Sequence, residues 1–205
     1  MGQTSSAPSD RWPYSLIFSD KHNLDNNTLT CEELGLHYRI YTPPVTRIFA
    51  LTEDRVTSIY RWDSKAQREI LIAEVEKRSH KQRMRIAPGA GLEVPGINAP
   101  FVSVKEYFRS TSKWSGTKRI FRASNGKECI WQIYDGTLYS SDDKSEPIAK
   151  FGHASVFSST PTHIKLNNGC TDILDELVVT CLIAEKEQSE QAATHNAHRA
   201  GPGGH

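Results

Sequence analysis

Two stretches of this chain combine residue types and spacings that have a chemistry of their own. Met1-Gly2-Gln3-Thr4-Ser5-Ser6 fits the pattern in which the first methionine is removed and Gly2 takes a myristoyl chain. Lys77-Arg78-Ser79-His80-Lys81-Gln82-Arg83-Met84-Arg85 puts five fixed positive charges into nine residues, across what reads as a strand, a turn and a second strand. A single myristoyl chain holds a protein to a bilayer with a constant of only about 10⁴ M⁻¹, so firm anchoring needs a second signal. Each Lys or Arg beside an anionic leaflet adds about 1 kcal/mol. Gly2 is therefore the candidate lipidation site, and Lys77, Arg78, Lys81, Arg83 and Arg85 are the candidate site for anionic lipid or phosphate. Each has a plainer reading beside it: an unmodified tail for the first, and for the second a solvated hairpin whose charges keep a sheet edge from pairing with another chain. Lys113, Lys118, Arg119 and Arg122 form a looser basic group around Trp114.

Other chemistry finds less support. Cys31, Cys129, Cys170 and Cys181 are widely spaced, with no CxxC pair and no matching histidine pattern, so buried free thiols are expected rather than a zinc or redox site. His195, His198 and His205 fall in a polar tail and predict no structural metal site. Asp172, Asp175 and Glu176 resemble a set of catalytic carboxylates, yet they precede an apolar run, where capping and the helix dipole account for them. Gly89 and Gly91 follow a strand, but Pro95 forbids the helix that a dinucleotide site requires next. Asn26-Asn27-Thr28 fits a glycosylation sequon and reads as a polar turn. No catalytic residue, metal ligand or cofactor is expected.

With 25 basic and 24 acidic side chains in 205 residues, the chain has no global field of the kind that gathers nucleic acid. Aromatic residues are not interleaved with the basic ones as stacking platforms require, and no nucleic-acid partner is expected. The first residues lack the apolar core of a secretory signal, and no run reaches the roughly 20 apolar residues that a spanning helix needs. A cytoplasmic protein, peripheral to membranes at most, is the expectation.

The elements that must position these groups read as short strands. β signals recur over Tyr14 to Phe18, Thr28 to Cys31, Leu36 to Tyr41, Arg47 to Leu51, Val56 to Trp62, Ile70 to Lys77 and Gln82 to Ala87. After a Gly/Pro-rich loop, further strands are predicted over Phe101 to Val104, Arg119 to Ala123, Cys129 to Tyr134, Thr137 to Ser140, Ile148 to Phe151 and His163 to Leu166. Asn125-Gly126 and Asp135-Gly136 supply tight hairpin turns. The run Ile173 to Ala184 differs in being apolar on every side. No Gly or Pro falls between Thr171 and Ala193 and acidic residues stand at its start, which predicts an enclosed helix over about that span. The expected organisation is a disordered tail over 1–13, one domain over 14–187 and a disordered tail over 188–205.

These residues also carry a resemblance. Leu36-His37-Tyr38-Arg39-Ile40-Tyr41-Thr42-Pro43, Ile72-Ala73-Glu74-Val75-Glu76, Arg119 to Trp131, Pro147-Ile148-Ala149-Lys150-Phe151 and Leu174 to Thr180, in that order, resemble the fungal domain family DUF6593 over residues 14 to 187. That family in turn is similar to the tubby C-terminal-like superfamily, which includes LURP-one-related and scramblase-like barrels. The resemblance implies a mainly β fold, a closed barrel of roughly twelve strands around a central apolar C-terminal helix. Tubby-like relatives include phosphoinositide-binding domains and scramblase-like membrane proteins, and this resemblance, the Gly2 pattern and the basic hairpin together set the expectation of a non-enzymatic phospholipid- or phosphoinositide-binding module at a membrane surface. A protein-interaction scaffold that touches no lipid is the alternative expectation, and a small hydrolase a third.

Overall fold

In the computed structural model the described residues are 11–21, 23–44, 55–78, 81–87, 99–110, 118–154 and 160–199, with side chains described to residue 189. The chain runs β1 (Tyr14–Phe18), β2 (Asn27–Cys31), β3 (Leu36–Tyr41), β4 (Arg55–Asp63), β5 (Arg68–Arg78) and β6 (Lys81–Ile86). Then come β7 (Val102–Ser103), a one-turn helix α1 (Val104–Tyr107) and β8 (Arg109–Ser110). The second half holds β9 (Lys118–Arg122), β10 (Glu128–Gln132), β11 (Thr137–Ser140), β12 (Pro147–Gly152) and β13 (His163–Leu166). A 3-10 segment, Asn168–Ile173, leads into the long helix α2 (Leu174–Arg199).

All these strands pair antiparallel in a single sheet ordered β7-β6-β5-β4-β3-β2-β1-β13-β12-β11-β10-β9-β8. The alternation read in the sequence is the cause: on β2, Asn27, Leu29 and Cys31 turn inward and are buried, while Thr28 and Thr30 turn out. Hairpin turns occur where glycine permits a left-handed backbone. Gly126 has φ +83° and Gly136 φ +62°, and a side chain at Gly136 would also press on Phe151 at 3.2 Å.

The sheet wraps α2. Leu177, Val178, Val179 and Thr180 are fully buried, and Cys181, Leu182, Ile183 and Ala184 nearly so, so no face of this stretch meets water. Strands on both arms of the sheet hold it: the Trp131 indole of β10 donates to Thr180 Oγ1 at 2.9 Å, and the Tyr38 hydroxyl of β3 donates to Asp175 at 3.0 Å. Burial of each such aliphatic side chain contributes about 1.5 to 3 kcal/mol, an upper range because the unfolded chain already hides some surface.

Several expectations need correction. A closed barrel of twelve strands is not what the hydrogen bonds make: among the described residues the sheet has thirteen strands, and its edges β7 and β8 do not pair with each other. α1 stands between them in sequence, so the chain turns through a helix where a closing ladder would have run. The Phe101 to Val104 strand is shortened for the same reason. Ser103 accepts from the Lys105 N–H while Glu106 accepts from the Ser103 N–H, a reciprocal cap that commits Val104 to a helix. α2 begins at Leu174, after a 3-10 turn capped by Asn167 on the Gly169 N–H at 2.8 Å. It runs on to Arg199, past the expected end near Ala193, on residues with good helix propensity and no Gly or Pro. The segment expected as a disordered tail from 188 thus begins as helix. The strand expected over Arg47 to Leu51 lies outside the described residues.

Candidate functional site

The β5–β6 hairpin sets out its charges by register. Glu74 lies opposite Arg85, Glu76 opposite Arg83 and Arg78 opposite Lys81, all on the outer face, while Val75 opposite Met84 faces the core. Two outer cations are consequently held by the hairpin itself. The Arg85 guanidinium donates to Glu74 at 2.6 Å, and that of Arg78 to Glu76 at 2.6 Å. Arg83 stands 3.7 Å from the same Glu76 and lies with Arg85 over the Phe101 ring, 5.4 and 4.6 Å from its centroid.

Where this hairpin meets α1 and α2 there is a cleft of about 750 Å³, with Lys77, Lys81, Arg83 and Lys105 in its lining. Phe101 and Val104 supply apolar wall, Gln82 and Ser103 neutral polar groups, and Glu106 and Glu187 two carboxylates. The formal charge of the lining is four cations against two carboxylates, net +2. Lys81 and Lys105 have no ion-pair partner among the described residues. Glu187 is held by Arg119, whose Nε donates to it at 2.9 Å.

Of the five cations expected at the site, the cleft thus gathers Lys77, Lys81 and Arg83, and leaves out Arg78 and Arg85, which pair with Glu76 and Glu74. Lys105, Glu106 and Glu187 went unnoticed in the sequence. The signal that could have found the first two is Ser103-Val104-Lys105-Glu106, a capping-box sequence that predicts a turn of helix. The looser basic group is dispersed: Arg119 turns to Glu187, and Arg122 donates to the Gly126 carbonyl at 3.1 Å. Lys113, Trp114 and Gly2 lie outside the described residues.

Other titratable groups serve the interior. All four cysteines are buried and free. Burial pushes the Cys129 thiol up to about 11 and that of Cys170 up to about 12, with Cys31 and Cys181 also raised, so the nucleophilic thiolate is suppressed. Asp172, Asp175 and Glu176 tie the start of α2 to the sheet. Arg61 pairs with Asp175 at 3.0 Å, the Ser124 N–H donates to Glu176 at 3.0 Å, and Asn125 donates to Asp172 at 3.3 Å. Burial pushes the Asp175 carboxyl up, against the pull of Arg61 and Tyr38. Farther along, Glu185 is only 5% exposed, is pushed up to about 7 by burial, and meets the exposed His153 ring at 3.2 Å.

No helix among the described residues is long and apolar enough to cross a membrane. No curated protein and no solved structure matches the chain. A family model described as a family of unknown function, DUF6593, matches residues 22–190. That match takes in the whole wrapped helix core and every residue of the cleft, and the chain belongs to the DUF6593 family.

Proposed function

We propose that the protein is a non-enzymatic module that binds anionic phospholipid headgroups, phosphoinositides among them, at the cytoplasmic surface of a membrane. The observation that carries this reading is the meeting of Lys77, Lys81, Arg83 and Lys105, drawn from β5, β6 and α1, at one cleft with an aromatic wall. A solvated hairpin edge would show its cations separately, whereas these share a volume large enough for a headgroup. The fold supports the reading at a coarser level: a sheet wrapped around a buried C-terminal helix is the arrangement of tubby-like barrels, with α1 in place of the last ladder.

Myristoylation of Gly2 belongs to the same proposal. A single acyl chain holds a protein to a bilayer only weakly, and the cations of the cleft would supply the second signal that firm anchoring needs.

Co-sedimentation with vesicles tests the reading directly. At physiological salt the protein sediments with anionic vesicles and not with phosphatidylcholine vesicles, and an equal response to both would overturn the proposal. Mass spectrometry of the native amino terminus tests the acyl part separately, since an intact Met1 or a free Gly2 amine would remove it.

A second reading, a protein-interaction scaffold that binds no lipid, is favoured by the outer face of β3 and β4. Arg39 lies over Tyr60 and Tyr41, at 4.4 and 5.8 Å, beside the exposed Trp62. Aromatic and arginine side chains of this kind anchor protein interfaces.

A further inference from the structure

The cleft presents both signs of charge. Glu106 is exposed, gives one carboxylate oxygen to the Ser103 N–H at 3.2 Å, and has no other partner among the described residues. Glu187, on the opposite element, is oriented by Arg119. A ligand bearing several phosphates would meet these carboxylates as like charges, so within the wider headgroup reading the more highly phosphorylated inositides fit the cleft less well than a headgroup with one phosphate. A ligand with one phosphate and one ammonium finds a partner for each.

Resting on the reading of the cleft as a headgroup site, we infer that it selects an aminophosphate zwitterion, a phosphodiester joined through a short linker to a primary ammonium. The phosphate goes to Lys81, Arg83 and Lys105, and the ammonium to Glu106 with Glu187 behind it. The stacking of Arg83 on Phe101 holds that guanidinium at the rim, which lowers the ordering cost of a phosphate contact. Serine and ethanolamine headgroups both have this pair, serine with one carboxylate more for the cation-rich lining to meet, whereas a glycerol headgroup has the phosphate and no amine.

The test compares vesicles containing phosphatidylserine with vesicles containing an equal mole fraction of phosphatidylglycerol, in a phosphatidylcholine background at physiological salt. The two anionic lipids carry the same net charge, so a purely electrostatic patch binds them alike. The wild-type protein is expected to prefer the serine lipid about fivefold, the worth of one partly exposed charge pair. Glu106→Gln should bring the ratio to about one, because it removes the partner of the ammonium and relieves the repulsion of the glycerol lipid, while glutamine still completes the cap of α1. Soluble glycerophosphoserine should displace the protein from serine vesicles and separates headgroup recognition from a property of the bilayer.

Equal binding of the wild-type protein to both anionic lipids would overturn the inference and leave the headgroup module standing. Binding to neither would overturn both. A serine preference that survives Glu106→Gln, and also Glu106→Gln with Glu187→Gln in a variant of unchanged melting temperature, would overturn the assignment of the ammonium to these carboxylates. So would a preference that excess glycerophosphoserine leaves intact.

Discussion

At the start of α2, Asp172, Asp175 and Glu176 each bond a strand or turn of the sheet. Thirteen positions on from Leu174, at Glu187, the same helix borders a cleft where Lys81 and Lys105 find no ion pair among the described residues. Both regions are rich in charge, and both read in the sequence as candidate chemistry. They differ in whether each charge has been given a protein partner. A partnered carboxylate is part of the fold, and removing it leaves its neighbour stranded. Cations that the fold leaves without partners contribute little to stability and remain available to a ligand.

That contrast is open to measurement. The stable end depends on the enclosed helix, so Val179→Asp, at a fully buried position, should prevent folding. An unpaired buried carboxylate costs several kcal/mol against a total of about 5 to 15 kcal/mol. Circular dichroism of a soluble variant with an unchanged melting temperature would show that the helix is not enclosed. Next in size, Asp175→Ala removes the partner of both Arg61 and Tyr38 and should cost about 3 kcal/mol in urea unfolding. A cost below about 0.5 kcal/mol would place this group among the solvated surface charges instead.

Glu185 lies nearer the cleft end and should show a pH signature. Its carboxyl, pushed up to about 7 in the folded chain from an ordinary value of 4.5, holds a proton that the unfolded chain releases between those two values. Stability therefore falls as pH rises through that window and stays lower above it. Glu185→Gln should remove that slope and raise stability by about 2 kcal/mol at pH 8. Denaturant midpoints across the window check it, and an unchanged slope would show that the carboxyl is solvated. The smallest effect on folding is expected at the cleft. Lys81→Gln with Lys105→Gln should move stability by less than about 0.5 kcal/mol. The same pair should weaken binding to anionic vesicles about tenfold or more, at about 1 kcal/mol per cation. Arg78→Gln, already matched by Glu76, should weaken it less, and an equal loss would erase the distinction between partnered and available cations.

Much of the architecture is decided by local pattern. Alternation along β2 or β13 says which side chains turn inward, Asn125-Gly126 and Asp135-Gly136 say where the chain reverses, and the Gly- and Pro-free run after Thr171 says where strands give way to a helix apolar on all sides. These signals act over a few residues, because side-chain period and turn conformation are local properties of the backbone. The Ser103 to Glu106 capping box is a local signal too, but the apolar residues from Phe101 to Val104 read as a strand, and the cap overrides them at Val104.

Other features were decided only in three dimensions. Nine consecutive residues suggested a patch of five like cations, but antiparallel register set Glu74 against Arg85 and Glu76 against Arg83, so three of the five, Arg78, Arg83 and Arg85, pair within the hairpin. The cleft then drew Lys105 and Glu106 from a helix between the two sheet edges, and Glu187 from the far end of the chain. Charge pairing depends on distances of a few Å between residues far apart in sequence. Composition and periodicity supply the charges, and only the wrapped sheet determines which of them meet.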